Sequence, residues 1–217
     1  MYATAALAAH ARACRDGDWV VFLDLKRDRY SALPFRQADA AFWGMLGVGG
    51  VEPPVDGIGE APGAAGLLAA LRNHGLLAES EIAVKAQCST LFIPPWAPDR
   101  VAFLAACAWA RWIVRAKRLD VAAVTFSAWK ERVGQGEGLN EAAQAYERAR
   151  PWYPAPRICL FDSLSLLAYL LSRGASADWV IGVRGRPFAA HCWIESNGVI
   201  LNSPHDQCDA HKEIMRA

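Results

Sequence analysis

The chain has 217 residues, 53% of them apolar, with 23 Lys and Arg against 22 Asp and Glu. A near-neutral chain with no basic block long enough to follow a phosphate backbone argues against a nucleic-acid partner. The length allows one large domain or two small ones.

No basic segment followed by an apolar run and a small-residue cleavage site opens the chain, and the apolar run Val101–Val114 carries Arg111 and is too short to span a bilayer. A cytoplasmic protein with no membrane partner is the expectation. Cys14, Cys88, Cys107, Cys159, Cys192 and Cys208 form no CxxC pair, which argues against a zinc knuckle or a thioredoxin-like motif.

In chain order, a short strand is expected near Ala8–Cys14, then a hairpin of the β-prone run Asp18–Leu25, a polar turn Lys26–Asp28 and a strand Arg29–Leu33. Pro34 precedes a helix over Phe35–Leu46, Val51–Gly63 reads as loop, and Ala64–Asn73 resumes helical periodicity before Gly75. Ser80–Pro98 loses any period and holds the adjacent Pro94 and Pro95. The expected division is a domain over 1–85, a linker over 86–98 and a second domain over 99–217.

The second domain should begin with a long helix capped by Asp99 and running to about Lys117, then shorter helices over Ser127–Val133 and Asn140–Ala149 separated by Gly134–Gly138. Pro151, Pro154 and Pro156 keep the next segment extended, so a helix can start only after Arg157, with Cys159 at its first turn. Leu160, Leu164, Leu167, Ala168 and Leu171 mark its buried face and Gly174 closes it. Strands follow over Trp179–Val183, Ala189–Glu195 and Val199–Asn202, the last two joined by Ser196, Asn197 and Gly198. The expected class is α+β, helices first and an antiparallel meander after.

A cysteine opening a helix sits at the positive end of the helix dipole, which favours thiolate. Such a nucleophile needs a base from elsewhere, and His191 lies on a strand further along. Read from position alone, a small buried cysteine and a hydrogen-bonded structural histidine describe the same residues.

The run Ile158–Asn202 resembles the C-terminal leader peptidase of lasso-peptide biosynthesis. The matching places are Cys159-Leu160, Ser163-Leu164, Gly182-Val183, Pro187-Phe188, Ala190-His191, Trp193 and Glu195. The segment Trp19–Leu33 is similar to the leader-recognition domain of the same systems. The resemblance implies a small winged-helix-like N-terminal domain fused to a transglutaminase-like or papain-like cysteine protease domain. It implies Cys159 as nucleophile and His191 as general base, working without a cofactor or metal. It also implies two partners, the leader of a precursor peptide and a separate ATP-using, asparagine-synthetase-like cyclase. Leader docking is then expected on Arg29, Tyr30, Ser31, Ala32 and Leu33 and on the helix side chains Leu67, Leu68 and Leu71.

The family completes its triad with an acid where this chain has Ser203. If Ser196–Gly198 form a three-residue loop, Ser203 falls opposite His191; Asn202 and Asp206 are the alternatives. The same Cys-His pair would equally serve a transglutaminase or other acyltransferase, and the missing acid would also fit a non-catalytic peptide chaperone.

Overall fold

A computed structural model describes residues 5–52, 63–78, 93–133 and 138–217. Cys88, most of the expected loop 51–63, most of the stretch 80–98 and the 134–137 spacer lie outside the described residues. The architecture is α+β, with helices around two antiparallel sheets.

The first sheet joins β1 (Ala11–Asp16), β2 (Trp19–Asp24) and β3 (Arg29–Pro34) in that order. The β2–β3 turn is held by Asp24, whose carboxylate accepts from the N–H groups of Lys26 and Arg27 and pairs with the Arg27 guanidinium at 2.8 Å. The expected early strand therefore lies slightly later, at Ala11–Asp16. The helix expected over Phe35–Leu46 is shorter: a 3-10 turn at Gln37–Asp39 leads into α1 (Ala40–Met45), and α2 (Ala64–Asn73) follows as predicted.

Side-chain alternation gives this sheet two buried faces. Val20 and Phe22 pack with Phe42, Trp43 and Leu71 of α1 and α2, while Val21, Leu23 and Leu25 join the main core of the C-terminal half. The Asp120 N–H donates to the Leu25 carbonyl at 3.1 Å, and the Gly185 N–H to the Asp16 carboxylate at 2.5 Å.

The C-terminal half opens with α3 (Asp99–Ala116), whose cap is Pro98 rather than Asp99. Next comes α4 (Leu119–Val133), longer than the expected Ser127–Val133 because Val121, Ala122, Thr125 and Phe126 bury one face against the core. After α5 (Leu139–Ala149), α6 (Cys159–Ser172) runs through the centre, buried on nearly all sides beyond its first turn. Leu160, expected on its buried face, is only partly covered.

The second sheet has the order β6-β5-β4-β7, with β4 (Asp178–Arg184), β5 (Ala189–Ser196), β6 (Val199–Ile200) and β7 (Lys212–Arg216). The loop between β5 and β6 is two residues long, not three: Asn197 and Gly198 both have positive φ, the geometry of a type I′ turn, and Ser196 pairs with Val199. The strand expected to reach Asn202 stops at Ile200, and the chain then bends through Leu201–Ser203 into α7 (His205–Asp209).

Candidate active site

Arg150, only 4% exposed, holds the extended segment that delivers the chain to α6. Its Nε donates to Asp162 Oδ1 at 2.8 Å, Nη1 to the Tyr153 carbonyl at 2.7 Å and Nη2 to the Ala155 carbonyl at 3.2 Å. Asp162 belongs to the first turn of α6, so one guanidinium ties helix and approach loop together. Cys159 is the first residue of that helix and is half-buried, with the Asp162 N–H bonding back to the Ile158 carbonyl.

Across from it runs β5. The Cys159 thiol interacts with the Cys192 thiol, with the His191 imidazole and with the Cys192 backbone N–H. These partners hold its pKa down, to about 4, against a desolvation penalty that acts the other way. Cys192 is fully buried beside that thiolate, and the contact together with burial raises its own pKa well above the ordinary thiol value. Of the two coupled thiols the half-exposed one at the helix start ionises, and the buried one stays protonated as its donor.

His191 Nε2 lies 2.7 Å from Ser203 Oγ. The three-residue loop would have set these residues opposite each other in a ladder. With the shorter loop the contact arises instead from the bend after Ile200. Asn202 is turned inward: its Oδ1 accepts from the Ile194 N–H at 2.8 Å and its Nδ2 donates to Ser163 Oγ at 2.9 Å. Ser163 in turn donates to the Cys192 carbonyl at 3.2 Å, so Asn202 braces β5 against α6. Asp206 is exposed in the first turn of α7.

Two aromatic rings flank the imidazole. Trp193 stacks 6.0 Å away at 23°, and His211 lies 5.7 Å away with its Nδ1–H on the Gln207 carbonyl. Gly182 on β4, which pairs with His191, makes room for both: a Cβ there would sit 2.8 Å from His211 Cβ and 2.9 Å from the Trp193 ring.

A cleft of about 420 Å³ opens over this group, lined by Glu147, Arg157, Cys159, His191, Ser203 and Gln207 among others. A separate groove of about 310 Å³ is lined by Trp19, Val21, Tyr30, Ser31, Ala32, Gly185, Arg186 and Phe188. Burial raises the pKa of Tyr30, a β3 residue that packs against the C-terminal core and edge to face with Phe188.

The remaining expected docking residues are spread over both faces of the first sheet and over α2. Arg29 and Ala32 are exposed, and Leu33, Leu67 and Leu68 are partly covered against the α1–α2 core. Leu71 is 1% exposed within that core and offers no surface. Sequence reasoning missed Arg150, whose role depends on folding back over a proline-rich segment, and the contact of Cys192 with Cys159. Strand alternation sets Cys192 on the face opposite His191, and only the position of α6 brings both to one thiol.

No group of acidic, His or Cys side chains among the described residues is arranged to hold a metal ion, and no helix among them is long and apolar enough to cross a membrane. A family model described as transglutaminase-like superfamily matches residues 101–216. The chain is also 41% identical over 51 residues to the microcin J25-processing protein McjB of Escherichia coli, a match spanning 24% of this chain and 24% of that protein. No solved structure matches.

Proposed function

Since the chain belongs to the transglutaminase-like superfamily, we propose that it is a cysteine peptidase that removes the leader from a lasso-peptide precursor, with Cys159 as nucleophile and His191 as base. The observation that carries this reading is the half-exposed thiol at the start of α6, held as thiolate beside a histidine. The local likeness to a microcin-processing protein supports the class of substrate.

Ser203 occupies Nε2 of His191, which leaves Nδ1 for the thiol. In the resting pair the imidazolium donates from both nitrogens, to the thiolate and to Ser203 Oγ. The thiolate adds to the scissile carbonyl, and the Nδ1 proton passes to the leaving amine as the C–N bond breaks. Water, deprotonated by the now neutral imidazole, then hydrolyses the acyl-enzyme and restores the thiolate. Ser203 orients the ring without adding a countercharge.

In this reading residues 1–85 recognise the leader, 86–98 link and 99–217 cleave. Holding the leader on the same chain makes cleavage effectively intramolecular, which lets a weakly selective site act on one substrate. An ATP-using cyclase would take the released core peptide. Incubating the full chain with the precursor and weighing the products tests the reading: hydrolysis yields two fragments whose summed mass exceeds the precursor by one water, whereas acyl transfer to an amine does not. Cys159→Ala and His191→Ala should both abolish cleavage, and wild-type turnover by either variant ends the assignment.

A further inference from the structure

α3 buries one face in the core and leaves the other bare. Ala102, Phe103, Ala106, Cys107, Ala110 and Ile113 are buried. The opposite face carries Val101, Leu104, Ala108 and Trp112, all exposed and spaced by three or four residues, so they form one stripe along the helix. Val101 is 55%, Leu104 48% and Trp112 47% exposed. A helix docked on a core normally turns a polar face to water, and large apolar side chains aligned there mark a surface that meets something else.

The charges beside this stripe are of one sign. Arg111 and Arg115 lie one helical turn apart along it and Arg100 stands at its start, all three exposed. The Arg100 guanidinium lies over the Trp152 ring, 4.8 Å from its centroid, and Trp152 is itself 64% exposed, so the apolar surface continues beyond the helix start. Arg111 and Arg115 have no acidic partner among the described residues. The acids at the two ends of the helix are already taken: Asp99 pairs with Arg173 at 3.4 Å and Asp120 with Arg118 at 3.1 Å. The face is therefore apolar and cationic at once, although the whole chain has a formal charge of only +1.

Unpaired arginines around an apolar stripe complement an anionic surface with an apolar layer beneath it. α3 has 18 residues, so its free face measures about 27 Å by about 10 Å, well under the roughly 800 Å² per partner that a stable protein pair buries. A bilayer needs no such matching area. Tryptophan sits at the headgroup level, Val and Leu reach the acyl boundary, and long arginine stems keep their guanidinium groups among the phosphates. We propose that the exposed face of α3, together with Trp152, rests on an anionic lipid surface and holds the protein peripherally at the membrane. The other face stays locked in the core, so only side chains enter the headgroup layer and the helix lies in the plane of the bilayer. No helix among the described residues is long and apolar enough to cross a membrane, but lying on one makes no such demand. Trp152 belongs to the same short turn as Arg150, which places the lipid contact beside the segment leading to Cys159.

The test is co-sedimentation of the full chain with vesicles of phosphatidylcholine alone or of phosphatidylcholine mixed with phosphatidylglycerol. The mixed vesicles should bind about tenfold more tightly or better, and added salt should shrink the gain. Arg111→Gln with Arg115→Gln should remove most of that gain, whereas Arg72→Gln, on exposed α2 surface, should leave it intact. Trp112→Ala should weaken binding to the mixed vesicles severalfold; thermal unfolding checks that these exposed changes leave the fold unaltered. Equal binding to the two vesicle types, or an anionic preference that survives the double arginine change, overturns the proposal. A chain that ignores vesicles but forms a dimer broken by Trp112→Ala also overturns it and gives the face to a second copy.

Discussion

Ser203 Oγ meets His191 Nε2 at 2.7 Å although the two residues are not ladder partners. The hydroxyl reaches the ring because β6 ends early and the chain turns back across the sheet edge. A carboxylate there would add the countercharge that the hydroxyl lacks. Ser203→Asp should therefore preserve or raise the precursor cleavage rate, while Ser203→Ala should lower it only modestly, because the thiol is already acidic and needs little help from a third group. Asp206→Asn should leave the rate near wild type. Rates at one saturating precursor concentration check all three, and a damaging Asp206→Asn would sink the assignment to Ser203.

Thiolate at Cys159 should persist far into acid. Its pKa is lowered, so the reactive form fills as pH rises through about 4 and is complete well below neutrality. Alkylation by iodoacetamide should be nearly flat from about pH 5 to 8, where an ordinary thiol loses about tenfold per pH unit. Cys192→Ala removes a donor and should move the inflection upward, as should His191→Ala; Cys208→Ala should not. An inflection near 8 in the wild type contradicts the arrangement.

Breaking the Arg150 clamp should cost stability as well as activity. Arg150→Met leaves Asp162, whose side chain is 14% exposed, without its cation and frees the Tyr153 and Ala155 carbonyls. Losing one partner of a buried pair typically costs about 3–5 kcal/mol. Chemical denaturation should report a loss of that order, and Arg157→Ala, at an exposed pair, should lose far less.

Gly182→Ala probes the space behind the histidine. The added methyl meets His211 and the Trp193 ring at under 3.0 Å, and overpacking of this kind costs about 1–3 kcal/mol. Because the displaced Trp193 ring stacks on His191, alkylation of Cys159 should slow in the same variant. A variant of wild-type stability and reactivity would show that the strand can shift to absorb the methyl.

The Phe35 N–H bonds to the Asp18 carbonyl, so alternation along β3 makes Leu33, Ser31 and Arg29 the residues bonded to β2 and leaves the Ala32 and Tyr30 amides on the open edge. The two amide sets are distinguishable by proline. Ser31→Pro deletes a donor bonded to β2 and should destabilise the fold by about 1–3 kcal/mol more than Ala32→Pro, whose amide faces outward. Ala32→Pro should instead weaken capture of the precursor, measured by calorimetry with Cys159→Ala as background. Equal stability of the two variants would reverse the assignment of the edge.

Much of this arrangement was legible from local chemistry. Three prolines before Cys159 fixed where α6 could begin, and Asn197-Gly198 marked a hairpin, although Ser196 belonged to the strand and the turn was one residue tighter than expected. The short α7 and the strand Lys212–Arg216 escaped notice because neither has enough apolar residues to display a period. α4 was underestimated because its Val and Thr residues look β-prone until the core buries them. What stayed hidden was tertiary: the guanidinium of Arg150 reaches the site from a segment whose local sequence says nothing of it, and the thiol of Cys192 meets Cys159 only through the position of α6.

A sheet buried on both faces binds the fate of the two halves together. Val20 and Phe22 belong to one core and Val21 and Leu23 to the other, so neither half can loosen without exposing side chains on the same strand. Were the polypeptide severed between residues 78 and 93, packing that is now intramolecular would become an association between two chains. The fragments would then have to find each other at their working concentration, and Val21, Leu23 and Leu25 would leave the core that also packs Cys159 whenever they parted. Joining them in one chain makes assembly of that core independent of protein concentration.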